Sequence, residues 1–384
     1  MQSTHAESIN NHTVRILQCT TKLSAGGVQS FLINYGESMN TENVIFDYIV
    51  QTKEKCEFDK RVINNGSKIY RVTPMETSLV KYMRDVYNIL RNNPEYKIVH
   101  SNLNFRNIFP LLAARLAGVK ILISHSHSNY MATNFLKKIQ RKIFQIALPV
   151  IASEYWACSK VAGEWLYGKK RSRNGEVVII SNAIQISSYM YSEQIRSKIR
   201  DKYNLNGKVV WIHIGMFGKA KNHDFLIELF KNYLQRNPNA ILLLCGDGPE
   251  RGHILEKIEQ LKIVDNVLML GVVNRVNEYL IAADVMVLPS LYEGLPMTCI
   301  EAQAAGCPAV VSYAVPKEAI WNENVISCQN WNMDYWLNCV EDVMKVNVDR
   351  KNLNPACIKQ GYDIGVEADK LEKKYIDLYR STNV

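Results

Sequence analysis

The stretch SLYEGLPMTCIEAQAAGCPAVVS, residues Ser290 to Ser312, sets two carboxylates, Glu293 and Glu301, eight positions apart around a Gly-Leu-Pro. The preceding DVMVLPS reads as a buried strand that ends at Ser290, which leaves Glu293 in a loop. Pro296 suits the first turn of a helix, and Gly306 followed by Pro308 stops it, so a helix is expected over Pro296 to Ala305. Its first N–H groups, with those of Gly294 and Leu295, are free to face an anion such as a diphosphate. Glu301 lies just over one turn in, and its Cβ leans back toward the helix start, so both carboxylates can reach one cleft. A carboxylate accepts bidentately from vicinal hydroxyls, so one can hold a hexose and the other a ribose. The spacing by itself carries little weight; the order strand, loop, proline-started helix, glycine stop carries more.

The same alternation runs through the chain. Strands are expected at VRILQCT (Val14 to Thr20), VIFDYIV, KIYRV, KIVHSN, KILISHS, YWACS and VVIISN (Val177 to Asn182), with amphipathic segments between them. After a polar stretch, AIQISSYMYSEQIRSKIRDKYNLNG, the pattern restarts with KVVWIHIG, AILLLCGDG, NVLML, DVMVLPS and PAVVS. Such alternation is that of parallel sheets covered by helices, an α/β architecture. The organisation expected is an N-terminal tail over 1–12, a first domain over 13–183, a linker with a short helix over 184–207, a second domain over 208–355, and a C-terminal helix within 356–384 that packs back on the first domain.

At 384 residues and 47% hydrophobic content, two packed domains are expected, and fibrous or disordered classes are excluded. The polar start MQSTHAESINNHT has no apolar signal region and no stretch is long enough to span a membrane, so a cytoplasmic location is expected. The nine cysteines are scattered, with no CxxC, and point to neither disulfides nor zinc. The net charge of +9 suits an anionic partner, whether a phosphorylated substrate or an acidic membrane surface. No recognition helix or aromatic-basic interleave points to nucleic acid. FLKKIQRKIFQIALPVIA, carrying Lys137, Lys138, Arg141 and Lys142, is either a core-packing helix with a solvated basic face or one that lies on anionic lipid.

Other chemistry-bearing positions fall at expected strand ends, where open α/β sheets bind ligands. Gly26 and Gly27 follow the first strand and open a helix near Val28; they allow close approach to the backbone, and suit a simple turn equally well. His100 ends one strand and His125 and His127 the next, where a ring can meet a sugar hydroxyl or sit in an ordinary polar loop. Gly215 is followed by Lys221, whose charge is worth on the order of 4 kcal/mol to a diphosphate about 4 Å away at an effective dielectric near 20. Gly246 and Gly248, in CGDGPE, let a nucleotide lie against the chain.

These motifs, in order and spacing from about residue 14 to 315, resemble the retaining glycosyltransferases of family 4, especially bacterial members that build capsular and exopolysaccharide: GGVQSFLINY, ISHSHSN, IISNAIQI, GKAKNHDFLIELF, CGDGP, AADVMVLPS and the stretch quoted first. The resemblance implies a GT-B fold, two Rossmann-like domains facing across a cleft. It implies a nucleotide-sugar donor, a UDP-sugar above all, and a glycan or lipid-linked glycan acceptor. No metal or resident cofactor is implied. By it, Glu293 would position the transferred sugar, Lys221 would neutralise the leaving diphosphate, and His127, or its neighbour His125, would meet the sugar. Gly294, Leu295 and Pro296 would approach the sugar and diphosphate, Glu301 would hold the ribose, and Gly27 would sit near diphosphate and acceptor. Two departures stand out: Met216 occupies the place of the family's usual arginine, with Lys219 nearby, and Asn182 to Gln185 read Asn-Ala-Ile-Gln where Asn-Gly-Ile-Asp is usual. Met216 keeps open a catalytically silent GT-B subunit that binds nucleotide or a partner enzyme.

Overall fold

The computed structural model describes residues 13–24, 26–127, 135–346, 350 and 354–383. The tail expected over 1–12 lies outside them, as do the side chains of Lys137, Lys138 and Arg141. The chain divides into two compact units, one built from residues up to 183 together with 364–383, the other from 184–363.

The first unit is a seven-stranded parallel sheet: β1 (Val14–Thr20), β2 (Val44–Val50), β3 (Ile69–Arg71), β4 (Ile98–Ser101), β5 (Ile121–Ser126), β6 (Glu154–Ala157) and β7 (Val177–Ile179), in the order β3-β2-β1-β4-β5-β6-β7. Helices cover both faces, so the strands are buried on both sides and read as nearly unbroken apolar runs. The chain direction across the sheet reverses at β1, which pairs with β2 on one side and β4 on the other. The last helix, Ile364–Arg380, belongs to this unit. Ile364, Ala368, Leu371 and Tyr375, at helical spacing, enter a core shared with Ile16, Phe31, Phe46 and Trp156.

The second unit has six parallel strands, β8 (Val210–Ile214), β9 (Ile241–Cys245), β10 (Val267–Gly271), β11 (Val285–Leu288), β12 (Ala309–Ser312) and β13 (Val325–Cys328), in the order β10-β9-β8-β11-β12-β13. Strand β13 was not expected; it is a four-residue edge strand, VISC, too short to show a period. The stretch expected as a linker over 184–207 contains the expected helix, Glu193–Lys202, and that helix is fastened to the second unit. Arg196 and Arg200 reach across it to Asp284, and Arg200 also donates to the carbonyls of Ala282, Leu205 and Lys208. Arg350 similarly donates to buried carbonyls at the ends of two helices, Leu280 O and Ala305 O.

Candidate active site

In the second unit the expected residues gather at the carboxyl ends of β8, β9 and β11. Chain after β8 bends at Gly215, runs through Met216 and Phe217, and makes a single 3-10 turn, Lys219–Lys221. Phe217 N donates to Asp247 O at 2.9 Å and Glu250 N to Phe217 O at 3.0 Å, which packs this loop against the one after β9. That packing is what the glycines serve. A Cβ at Gly246, whose φ is +149°, would fall 1.9 Å from Gly215 O, and one at Gly248 would fall 2.4 Å from Phe217 O. A Cβ at Gly215 would meet Lys221 Cε at 2.8 Å, so the bare backbone there lets the lysine fold back over it.

Lys221 turns toward the loop after β11. Its Nζ lies 2.6 Å from Glu293 Oε1, which also accepts from Ser290 Oγ at 2.6 Å. Leu291 N donates to Ala220 O at 2.8 Å, and Ser312 Oγ donates to Ser290 O, so the backbone of both loops is pinned beside the ion pair. Both side chains are largely buried, 18% exposed for Lys221 and 11% for Glu293.

The helix that follows is Met297–Ala304, one residue shorter at each end than expected. Pro296 is its N-cap, with φ −72° and ψ 105°, and Cys299 N bonds Pro296 O at 3.0 Å. The C-terminus closes as expected: Gly306, at φ +64°, donates to Gln303 O at 3.1 Å while Cys307 donates to Ala302 O at 2.8 Å, the paired bonds of a Schellman ending. Glu301 Oε1 accepts from Tyr189 Oη at 2.9 Å, and burial pushes its carboxyl pKa up, a rise the Tyr189 hydrogen bond opposes. Gly294 and Leu295 sit half-buried in the loop between Glu293 and the start of this helix.

Met216 stands 67% exposed at the start of the first loop, and Lys219 is exposed beside it. Lys219 makes no ion pair among the described residues.

In the first unit, the helix Gly27–Ser38 opens at Gly27, one residue before the expected start, after Gly26 in extended backbone. No side chain caps it. A Cβ at Gly27 would meet nothing within 4 Å, whereas one at Gly26 would meet the end of the Gln29 side chain at 2.6 Å. The histidines separate into two kinds. His100 and His125, expected at strand ends where a ligand could reach them, are fully buried. Their rings are stacked, with His100 Nε2 3.0 Å from His125 Nδ1 and Tyr375 Oη 2.6 Å from His100 Nδ1. The His125 ring lies in the core between those of His100 and His127. His127, past the end of β5, is half-buried, with Nε2 2.8 Å from Asn102 Oδ1. Burial pushes its pKa down to about 3, and those of His100 and His125 well below the usual histidine value, so all three rings are neutral.

Three supporting residues were not anticipated. Ser290, which orients Glu293, was visible three positions upstream in the same motif. Tyr189 and Asn102 lie 112 and 25 residues from the side chains they hold, and nothing local marks them.

Residues 195–360 match the family model of the glycosyl transferases group 1. The chain is 29% identical over 314 residues to the putative glycosyltransferase EpsF of Bacillus subtilis (strain 168), covering 81% of this chain and 82% of that one. It is 24% identical over 326 residues to the Escherichia coli UDP-Gal:alpha-D-GlcNAc-diphosphoundecaprenol alpha-1,3-galactosyltransferase, covering 78% and 81%. Among solved structures, Anabaena HepE in complex with UDP and glucose superposes with a TM-score of 0.79 at 17% identity, over 94% of this chain and 99% of that one. With its two parallel Rossmann-like sheets, each ending in the loops described, the chain has the fold of the GT-B glycosyltransferases, and its residues 195–360 are similar to the group 1 family.

Proposed function

We propose that the protein is a retaining, family 4 hexosyltransferase, which moves a sugar from a UDP-sugar to a glycan or lipid-linked glycan acceptor in cell-surface polysaccharide biosynthesis. The observation that carries this reading is the buried Lys221–Glu293 pair beside the start of helix Met297–Ala304, a cation, a carboxylate and free helix N–H groups at one strand-end cluster. Donor identity is supported by the UDP and glucose bound in HepE, and the acceptor class by the diphosphoundecaprenol substrate in the name of the E. coli relative.

In this reading Lys221 exchanges Glu293 for the diphosphate, and the released carboxylate accepts from the sugar hydroxyls. Gly294, Leu295 and Pro296 place backbone against sugar and phosphate, Gly215, Gly246 and Gly248 admit the nucleotide, and Glu301 accepts from the ribose. Gly26 and Gly27 leave the opening of their helix bare to ligand, and His127 meets a sugar hydroxyl. The bond from anomeric carbon to diphosphate oxygen breaks while the acceptor oxygen bonds to that carbon from the same face. The acceptor's proton passes to the departing diphosphate. Such a path needs positioning and leaving-group stabilisation rather than a protein nucleophile, and no metal.

Acceptors of this kind sit at a membrane, and helix Phe135–Ile151 supports a peripheral encounter with the cytoplasmic leaflet. Phe144 packs inward on Phe105 and Phe109, but Ile143, Ile146 and Val150 stand 58%, 69% and 71% exposed beside exposed Lys142. The described part of this helix thus presents three apolar side chains and Lys142 to solvent. Exposed Met216 favours the second reading, a silent subunit that binds nucleotide without turnover.

The deciding experiment measures nucleoside diphosphate release from UDP-, GDP- and TDP-sugars, with and without membrane extract and in EDTA. Acceptor-dependent release from one donor, lost in Glu293→Ala, supports the transferase. Nucleotide binding with no release from any donor supports the silent subunit.

A further inference from the structure

Inside the first unit a string of hydrogen bonds joins the last helix to His127. Gln18 Nε2 donates to Tyr375 Oη at 3.2 Å, Asn102 Nδ2 donates to Gln18 Oε1 at 2.9 Å, and Asn102 Oδ1 lies 2.8 Å from His127 Nε2. Side-chain amides in such a string can all reverse together, so its direction needs a group that cannot turn. The backbone carbonyl of His100 is that group. It lies 3.4 Å from Asn102 Nδ2, and a reversed amide would set two acceptor oxygens against each other. Asn102 Oδ1 therefore faces the ring, His127 Nε2 carries the proton, and the lone pair is left on Nδ1. Nδ1 is enclosed and has no partner among the described residues.

We propose that Asn102 is a positioning residue: by accepting from His127 Nε2–H it locks the neutral ring in one tautomer, so that Nδ1 meets its ligand as an acceptor for a hydroxyl proton. A second tether holds the same ring in place, since His127 N donates to Asn104 Oδ1 at 2.8 Å. Phe31 packs 5.3 Å from the ring and His125 stacks 3.9 Å from it, with His100 beyond. These two histidines are the titratable groups on that side, and both are held neutral by burial. That the ligand is a sugar rests on the transferase reading; the tautomer does not.

The test uses the full chain labelled with 15N-histidine, with His127 assigned by its loss in His127→Gln. Ring 15N shifts, donor kcat and KM, and thermal unfolding are followed in wild type, Asn102→Ala and Asn102→Asp. Wild type should show the Nε2–H tautomer from about pH 8 to about pH 5. Asn102→Ala should give mixed tautomers and a kcat lower by roughly three- to tenfold, with donor KM changed less. Asn102→Asp should keep the tautomer but raise the ring's pKa, so that kcat falls as pH drops and Nδ1 is protonated, a limb wild type lacks. An Nδ1–H tautomer in wild type, or an unchanged tautomer in Asn102→Ala, overturns the proposal. Should Asn102→Ala not fold, wild type and Asn102→Asp decide it. If wild type consumes no nucleotide-sugar, the transferase reading fails while the ring shifts still settle the tautomer.

Discussion

Lys221 Nζ and Glu293 Oε1 lie 2.6 Å apart, across 72 residues of sequence, with Ser290 Oγ on the same oxygen. Each charge is the other's compensation in a largely dry setting, so removing one leaves the other exposed to a desolvation penalty. Lys221→Ala and Glu293→Ala should each lose about 1–3 kcal/mol of stability by denaturant unfolding. In the double variant the losses should not add, because the second truncation removes the orphan made by the first. Turnover should fall at least about a hundredfold in each, as for loss of an electrostatic stabiliser aimed at developing charge.

Glu301 holds a burial-raised pKa and, among the described residues, one side-chain hydrogen-bond partner, Tyr189. Glu301→Gln removes the charge whose burial is unfavourable and keeps the shape. Its melting temperature should rise at neutral pH, and the gain should shrink as pH falls and the wild-type carboxyl protonates. Nucleotide affinity, measured by calorimetry, should weaken, which separates a ligand-binding carboxylate from one retained for stability.

The glycines make opposite predictions. Gly246→Ala, with its Cβ 1.9 Å from Gly215 O, should destabilise the second unit and abolish nucleotide binding together. Gly27→Ala has open space and a helical position, and should leave stability unchanged or raise it by up to about 1 kcal/mol. A fall in kcat/KM for Gly27→Ala without loss of stability would report ligand approaching that backbone; unchanged kinetics would remove Gly27 from the site.

Met216→Arg adds a cation to an exposed side chain beside Lys219, in the loop that ends at Lys221. Affinity for a nucleoside diphosphate should rise by roughly three- to tenfold at low salt and by less at high salt. No change would mean that position 216 does not face the phosphates.

The histidine cluster sets an acid limit on stability. His127 has a folded-state pKa near 3 against an unfolded value near 6.5, so the unfolded chain binds the extra proton. The contribution of the neutral ring is whole above about pH 6.5 and is lost as pH falls toward about 3. Buried His100 and His125 act in the same direction. The melting temperature should therefore decline between about pH 6.5 and 4, and His127→Gln should flatten part of that decline.

The sequence by itself determined the two parallel sheets and the loops at their strand ends, because buried parallel strands are nearly continuous apolar runs and their helices begin and end on proline and glycine signals. All twelve strands expected are present, and the thirteenth escaped because VISC carries no period. The Glu293, Lys221 and Glu301 positions were legible for the same reason: each falls at a fixed place relative to a strand end or a helix start. Only the tertiary structure decided the partners. It set Lys221 against Glu293, Tyr189 against Glu301 and Asn102 against His127, and drew His125 into the core. Hydrogen bonds across 25 to 112 residues depend on how the sheets order their strands and on which face each side chain lands. A local pattern fixes where an element starts and stops, but not what packs against it.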